Sequence, residues 1–370
     1  MTSRERLLCA MRLGDPGELP IHICGVPVWD DAWVQSRDRS YAPVIEAVQE
    51  YGDYFASWAP PSGPFLSQTT VPTEAEQIDH PDWVETITTW HTPRGDLRTR
   101  HLSSKRGLPG YQVEFAVKSL GDVEKVLSVP YVPLEHVDAS GFFALQERVG
   151  DRGVVNASAG QNPIGDVRDL MGSDLLAVWS IEQRGAIHRL LQMFLERILD
   201  RLEAILAAGV GPIFTTLGQE YITPPLHGRR DFIEFCVEPE KAIIDRIHRA
   251  GGLLHVHCHG TLGAILDDIA RIADILHPIE PPPMGDVPLP EAKRRIGDRV
   301  CLDGNIQTGD IYAMPTPRLL DAVKRAIDDG APGGGFILCP TASPYTQVLT
   351  DLTVRNYVAM IQTAAEYGRG

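Results

Sequence analysis

The chain alternates between two rhythms. Short apolar runs at residues 154–159, 212–217, 253–258, 274–279, 300–305 and 336–339 have the length of buried strands. Between and after them lie longer stretches with helical periodicity, at 187–208, 231–250, 262–273, 316–329 and 346–367. Two more apolar runs, near residues 21 and 54, bring the expected strands to eight. Repeated strand-then-helix units imply parallel pairing. Eight of them predict an α/β fold of the closed (β/α)8 TIM-barrel type. An open doubly wound sheet is the weaker reading, since no GxGxxG opens a helix after the first strand. Thr2 or Ser3 can cap a first helix running to about Arg12.

Residues 60–118 depart from this rhythm. Segments 85–90 and 97–102 alternate apolar and polar positions, with Thr92-Pro93-Arg94-Gly95-Asp96 between them. That pattern predicts an antiparallel β-hairpin inserted into a single barrel domain spanning 1–370.

The richest chemistry lies in Leu253-Leu254-His255-Val256-His257-Cys258-His259-Gly260. Strand side chains alternate between faces, so the three histidines share one face. At the C-terminal end of a barrel strand they point into the mouth, where active sites collect. His257 and His259 are therefore the first candidates for metal ligands, with zinc the expected ion. His255 lies deeper and reads as structural. Other strand ends bring Glu220, as metal ligand or general base, and Cys339, as thiolate ligand or simply a small buried residue. Asp303 is a candidate catalytic group that orients a metal-bound histidine, or a helix cap. Glu280, Asn305, Tyr221 and Trp29 are candidate substrate contacts. His22 and Cys24, which share a face near the first strand, are a second place with metal-ligand chemistry.

Composition narrows the function. The hydrophobic fraction is 43% and the charged fraction 22%, as in soluble globular chains. A net charge of -15 argues against nucleic-acid partners and anionic membranes, both of which need clustered Lys and Arg. Met1-Thr2-Ser3-Arg4-Glu5-Arg6 reads as a helix start and not as a signal peptide, so a cytoplasmic protein is expected. The six cysteines are scattered without a CxxC pair, which suggests free thiols.

Several segments together resemble the uroporphyrinogen decarboxylase superfamily. They are Arg4-Glu5-Arg6-Leu7-Leu8 with Met11-Arg12, Gly228-Arg229-Arg230-Asp231-Phe232-Ile233-Glu234-Phe235, Asp303-Gly304-Asn305-Ile306, and Gly334-Gly335-Phe336-Ile337-Leu338. The resemblance implies a barrel and one of two chemistries. Its decarboxylases carry an arginine-rich stretch after the first strand. Here that place reads Cys24-Gly25-Val26-Pro27-Val28-Trp29-Asp30, with no arginine pair. Its zinc-dependent methyltransferases carry His-x-Cys-Gly on the histidine strand and a second cysteine after the late strand. On that pattern His257 matches the histidine and His259 stands in place of the first cysteine. The late cysteine falls near Ala342, with Cys339 the nearest thiol. A His/His/Glu or His/His/Cys set is harder than a thiolate set, and suits polarising an oxygen.

The resemblance thus implies a metal-dependent methyltransferase acting on a small methylated substrate of the O-methyl kind. The acceptor would be a corrinoid carried by a separate protein, because the chain has no Asp-x-His-x-x-Gly signature. The alternatives are a metal-dependent lyase or hydrolase without a corrinoid partner, and a barrel that binds a small ligand without chemistry.

Overall fold

The structure is a computed structural model and describes residues 1–369. Its strands in chain order are β1 (Tyr54–Trp58), β2 (Thr73–Asp79), β3 (Trp83–Thr92), β4 (Gly95–Ser104), β5 (Tyr111–Glu114) and β6 (Gly153–Gln161). They continue with β7 (Ile213–Leu217), β8 (Leu253–His257), β9 (Ile275–His277), β10 (Cys301–Ile306) and β11 (Phe336–Pro340). Seven of them form a parallel sheet in the order β1-β6-β7-β8-β9-β10-β11, and β2 to β5 form a separate antiparallel sheet. Every neighbour in the large sheet is also next in sequence within it, as strand-then-helix units require.

The first expected strand is reduced to a bridge. Ile21 pairs with Leu338 of β11 in parallel. On its other side the Asp53 amide, one residue before β1, donates to the Ile21 carbonyl at 2.7 Å. Both outermost strands of the sheet thus reach residue 21.

The two faces of the sheet bury different things. One face packs its apolar residues against the surrounding helices in the main core. On the other, Phe55, Val154, Ile213, Ile275, Cys301 and Ile337 pack with Leu7, Ala10 and Met11 of the first helix, Ser3–Met11. The alternation of strand side chains carries this inner face upward to polar residues. Ile213 is followed at i+2 by Thr215, Leu253 by His255 and His257, Ile275 by His277, Cys301 by Asp303 and Asn305, and Ile337 by Cys339. The inner face is therefore an apolar floor under a polar upper layer.

Two expectations are revised. The hairpin of 85–90 and 97–102 is the centre of a four-stranded sheet, because β2 and β5 add to both its edges. β2 is an edge strand with all seven residues exposed. The helix expected over 262–273 is only Leu266–Ile269. The Gly263 amide is taken instead by Asp286 at 2.9 Å, which holds that connection as a loop.

Candidate functional site

The polar layer can be built upward from its buried base. Asp303 on β10 is fully buried. Its Oδ2 accepts from His22 Nδ1 at 3.2 Å and from His255 Nε2 at 3.2 Å. Its Oδ1 is buried with no hydrogen-bond partner. Burial works to raise the Asp303 pKa, but the imidazoles of His22, His255 and His277 outweigh it and hold the carboxyl well below the usual range. Cys339 Sγ lies 3.4 Å from His22 Nδ1 and 3.6 Å from His277 Nε2. Burial and the neighbouring Asp303 carboxylate push this thiol up. His22, Asp303 and Cys339 each offer a ligand atom, all within 4.8 Å of one another.

Nearer the strand ends, His257 Nδ1 meets His277 Nδ1 at 2.9 Å, so one ring donates to the other. Burial, with His259 and His255 adding to it, lowers His257 to about 4. The His259 ring stands edge-on to His257 with centroids 4.7 Å apart. Its Nδ1 faces Glu280 Oε1 at 3.3 Å. Glu280 Oε2 also accepts the Gly260 amide at 3.1 Å. Burial would raise Glu280, yet these donors prevail and keep it below the usual carboxylate range. Glu220 sits just past β7, in the turn Gln219–Ile222, and its Oε2 accepts the Gly218 amide at 3.0 Å. Burial raises the Glu220 carboxyl against the opposing pull of that amide, His259 and Arg168.

The sequence-derived candidates therefore fall into groups. His257, His259 and Glu280 come together, with Glu220 close enough to feel His259. Asp303 and Cys339 come together one level deeper, with His22. Among the described residues, no three-donor group includes His257 or His259. Asn305 follows Asp303 at i+2 on β10 and is nearly buried. Tyr221 lies under the Arg168 guanidinium at 4.3 Å, and Trp29 packs on Tyr54 with centroids 5.4 Å apart.

His277 was not among the candidates. Its signal was present, since it sits at i+2 from Ile275 and directly opposite His257 in the parallel register.

Behind this layer a buried carboxylate fixes the loops. Glu240 Oε1 accepts from Thr216 Oγ1 at 2.7 Å, and its Oε2 from Gln219 Nε2 at 3.3 Å and from Asn162 Nδ2. Asn162 also caps the helix Pro163–Glu182 through the Ile164 amide at 3.0 Å. One carboxyl group thus ties the ends of β6 and β7 to the turn that carries Glu220.

Fold and site define a class: a parallel α/β protein whose titratable groups gather at the C-terminal ends of its strands, where such folds place their chemistry. The family follows from the sequence. The profile of the uroporphyrinogen decarboxylase family (URO-D) matches residues 169–367, more than half of the chain, and the chain belongs to that family. A uroporphyrinogen decarboxylase of Thioalkalivibrio sulfidiphilus (strain HL-EbGR7) is 29% identical over 153 residues, which is 41% of this chain and 41% of that protein. The match thus spans about two fifths of the relative's length. A methyltransferase from Methanosarcina mazei has the same overall fold, with a TM-score of 0.58 and 16% identity over 99% of both chains. A B12-independent methionine synthase from Shewanella sp. W3-18-1 is more distant, with a TM-score of 0.45 and 13% identity over 70% of this chain and 72% of that one. Among the described residues no helix is long and apolar enough to cross a membrane.

Proposed function

We propose that this chain is a methyltransferase, working at the mouth of a barrel closed at Ile21. It would take a methyl group from the oxygen of a small methylated substrate and pass it to a corrinoid carried by a separate protein. The observation that carries this reading is the group Glu220, His259 and Glu280, set over the imidazole of His257 at the strand ends.

The chemistry asks for an acid at that place. The methyl carbon–oxygen bond breaks as the cobalt of a cob(I)alamin-type acceptor supplies the electron pair of the new carbon–cobalt bond. The oxygen leaves with the old bond pair and is a poor leaving group until it takes up a proton. Glu220 is suited to give that proton, because burial favours its neutral form. The Glu280 carboxylate, itself held by the Gly260 amide, fixes the His259 ring. Asn305, Tyr221 and Trp29 are the proposed substrate contacts.

The zinc implied by the family resemblance does not fit at the mouth. Position 342 is alanine where the late cysteine would stand, and among the described residues no group of three ligand atoms close enough to share an ion includes one from His257 or His259. No step in this scheme therefore runs through a metal there.

The test is an anaerobic assay of the purified chain with aryl methyl ethers and cob(I)alamin. The expected result is conversion of cob(I)alamin to its methylated form with one free phenol released per turnover. Glu220→Gln should slow this by about 10²- to 10⁴-fold, the usual contribution of a general acid. Consumption of the ether by water, with cob(I)alamin unchanged, would reassign the site to hydrolysis.

A further inference from the structure

We propose that His22, Asp303 and Cys339 form a buried metal centre for a divalent ion of the zinc class, one layer below His257 and His259. The centre goes beyond the methyl-transfer reading and stands without it.

Geometry comes first. A tetrahedral ion with bonds of about 2.0–2.3 Å sets its ligand atoms roughly 3.3–3.7 Å apart. His22 Nδ1 is 3.2 Å from Asp303 Oδ2 and 3.4 Å from Cys339 Sγ. The three donors come from three separate segments: the bridge at residue 21, β10 and β11. They are preassembled by backbone pairing, and the His22 amide is itself fixed to the Leu338 carbonyl at 2.9 Å.

The second observation is the unpartnered Asp303 Oδ1, on a side chain with no solvent exposure. A buried carboxylate oxygen without a donor is costly, and native structures rarely leave one so. A cation held by both carboxylate oxygens of Asp303 gives it a partner. Charge points the same way. A divalent ion with the Asp303 carboxylate and the Cys339 thiolate makes a neutral unit, which is what a low-dielectric interior tolerates. On binding, the Cys339 S–H bond breaks, sulfur keeps the pair as a ligand, and the proton is released to solvent.

The surroundings match a metal's outer support. His255 Nε2 bonds Asp303 Oδ2 at 3.2 Å, and His277 Nε2 approaches Cys339 Sγ at 3.6 Å. Such partners hold first ligands in place. A mixed N/O/S donor set favours zinc over magnesium or calcium, which take oxygen. The mouth residues His257, His259 and Glu280 contain no sulfur.

The test uses the full chain. Metal content is measured as isolated and after adding zinc, and the ion is then replaced by cobalt(II). About one ion per chain is expected, and the cobalt(II) form should show a thiolate-to-metal charge-transfer band. That band requires no variant, so it is read even where a substitution fails to fold. Cys339→Ser should abolish the band. Asp303→Asn and His22→Ala should weaken zinc binding at least about 10-fold. His257→Ala and His259→Ala should keep both ion and band. Failure to bind zinc, cobalt(II) bound without the sulfur band, or loss of the ion in His257→Ala with retention in Cys339→Ser would each overturn the proposal.

Discussion

Asp53 should be among the most sensitive positions for stability. Its side chain is fully buried, and Oδ1 pairs with Arg6 Nη2 at 2.5 Å, where Arg6 is 13% exposed. Its Oδ2 accepts the Ile21 amide at 2.8 Å. The carboxylate therefore joins the first helix, the bridge at residue 21 and the segment entering β1. Asp53→Ala leaves the Ile21 amide without a partner at a position only 2% exposed. An orphaned buried amide costs about 1–3 kcal/mol. The same change leaves Arg6 with Glu18, 57% exposed, as its one charged partner and the Ser3 hydroxyl, at 3.1 Å, as a neutral one. Breaking a buried ion pair by removing one partner costs about 3–5 kcal/mol, and this range includes the orphaned groups. The expected loss is thus about 3–5 kcal/mol for Asp53→Ala. Asp53→Asn keeps an acceptor for Ile21 and should lose less, about 1–3 kcal/mol. Glu18→Ala removes only the solvated pair and should stay within about 0.5 kcal/mol. Urea unfolding followed together by tryptophan fluorescence and far-ultraviolet circular dichroism measures all three. An Asp53→Ala loss no larger than that of Glu18→Ala would refute the reasoning.

Three further outcomes follow from the same contacts. His257 has its pKa lowered from 6.5 to about 4 in the folded chain, so the unfolded chain takes the proton first. Its contribution is complete above the unfolded value and is lost as pH falls from about 6.5 to about 4, up to roughly 3 kcal/mol. His257→Asn should flatten the stability–pH curve in that window, and an unchanged slope would count against it. Glu240→Ala removes the shared acceptor of Thr216, Gln219 and Asn162. It should cost about 3 kcal/mol and speed hydrogen exchange in the turn Gln219–Ile222, read by mass spectrometry. Gly25 has φ of +74°, and an added Cβ would lie 2.2 Å from Ser343 Oγ. Gly25→Ala should cost about 1–3 kcal/mol in the same urea experiment, partly recovered when Ser343→Gly is added.

The parallel strands were legible because each is a short apolar run between longer helical patterns, and β6 to β11 all overlap the expected runs. The bridge at Ile21 was not distinguishable from a full strand, because periodicity does not report how many residues a neighbour pairs with. Helix Pro163–Glu182 was missed although Asn162 and Pro163 are a cap and a first-turn proline. Those two residues read equally well as a loop ending β6. At the site, alternation placed His255, His257 and His259 on one face. What alternation cannot tell is depth across strands. His22, 317 residues from Cys339 and 281 from Asp303 in sequence, meets both only in the folded sheet, where the register pairs Cys339 with Asn305 and Asp303 with Ile337, so neighbours in space are not partners in register.

The outer strand of the antiparallel sheet has one more consequence. β2 offers a free edge and carries Glu74, Glu76 and Asp79 within seven exposed residues. Were two molecules to join edge to edge antiparallel about Glu76, that residue would face its own copy across the seam. Glu74 would then lie opposite Ile78, and Asp79 opposite Thr73. Like charges directly opposite oppose such pairing. The edge is therefore protected by charge and not by covering, so the protection is titratable. In dilute neutral buffer the seam repels itself, and once its carboxylates take up protons the same strand becomes adhesive. Colloidal behaviour in acid should then be governed by this one strand well before the parallel sheet gives way.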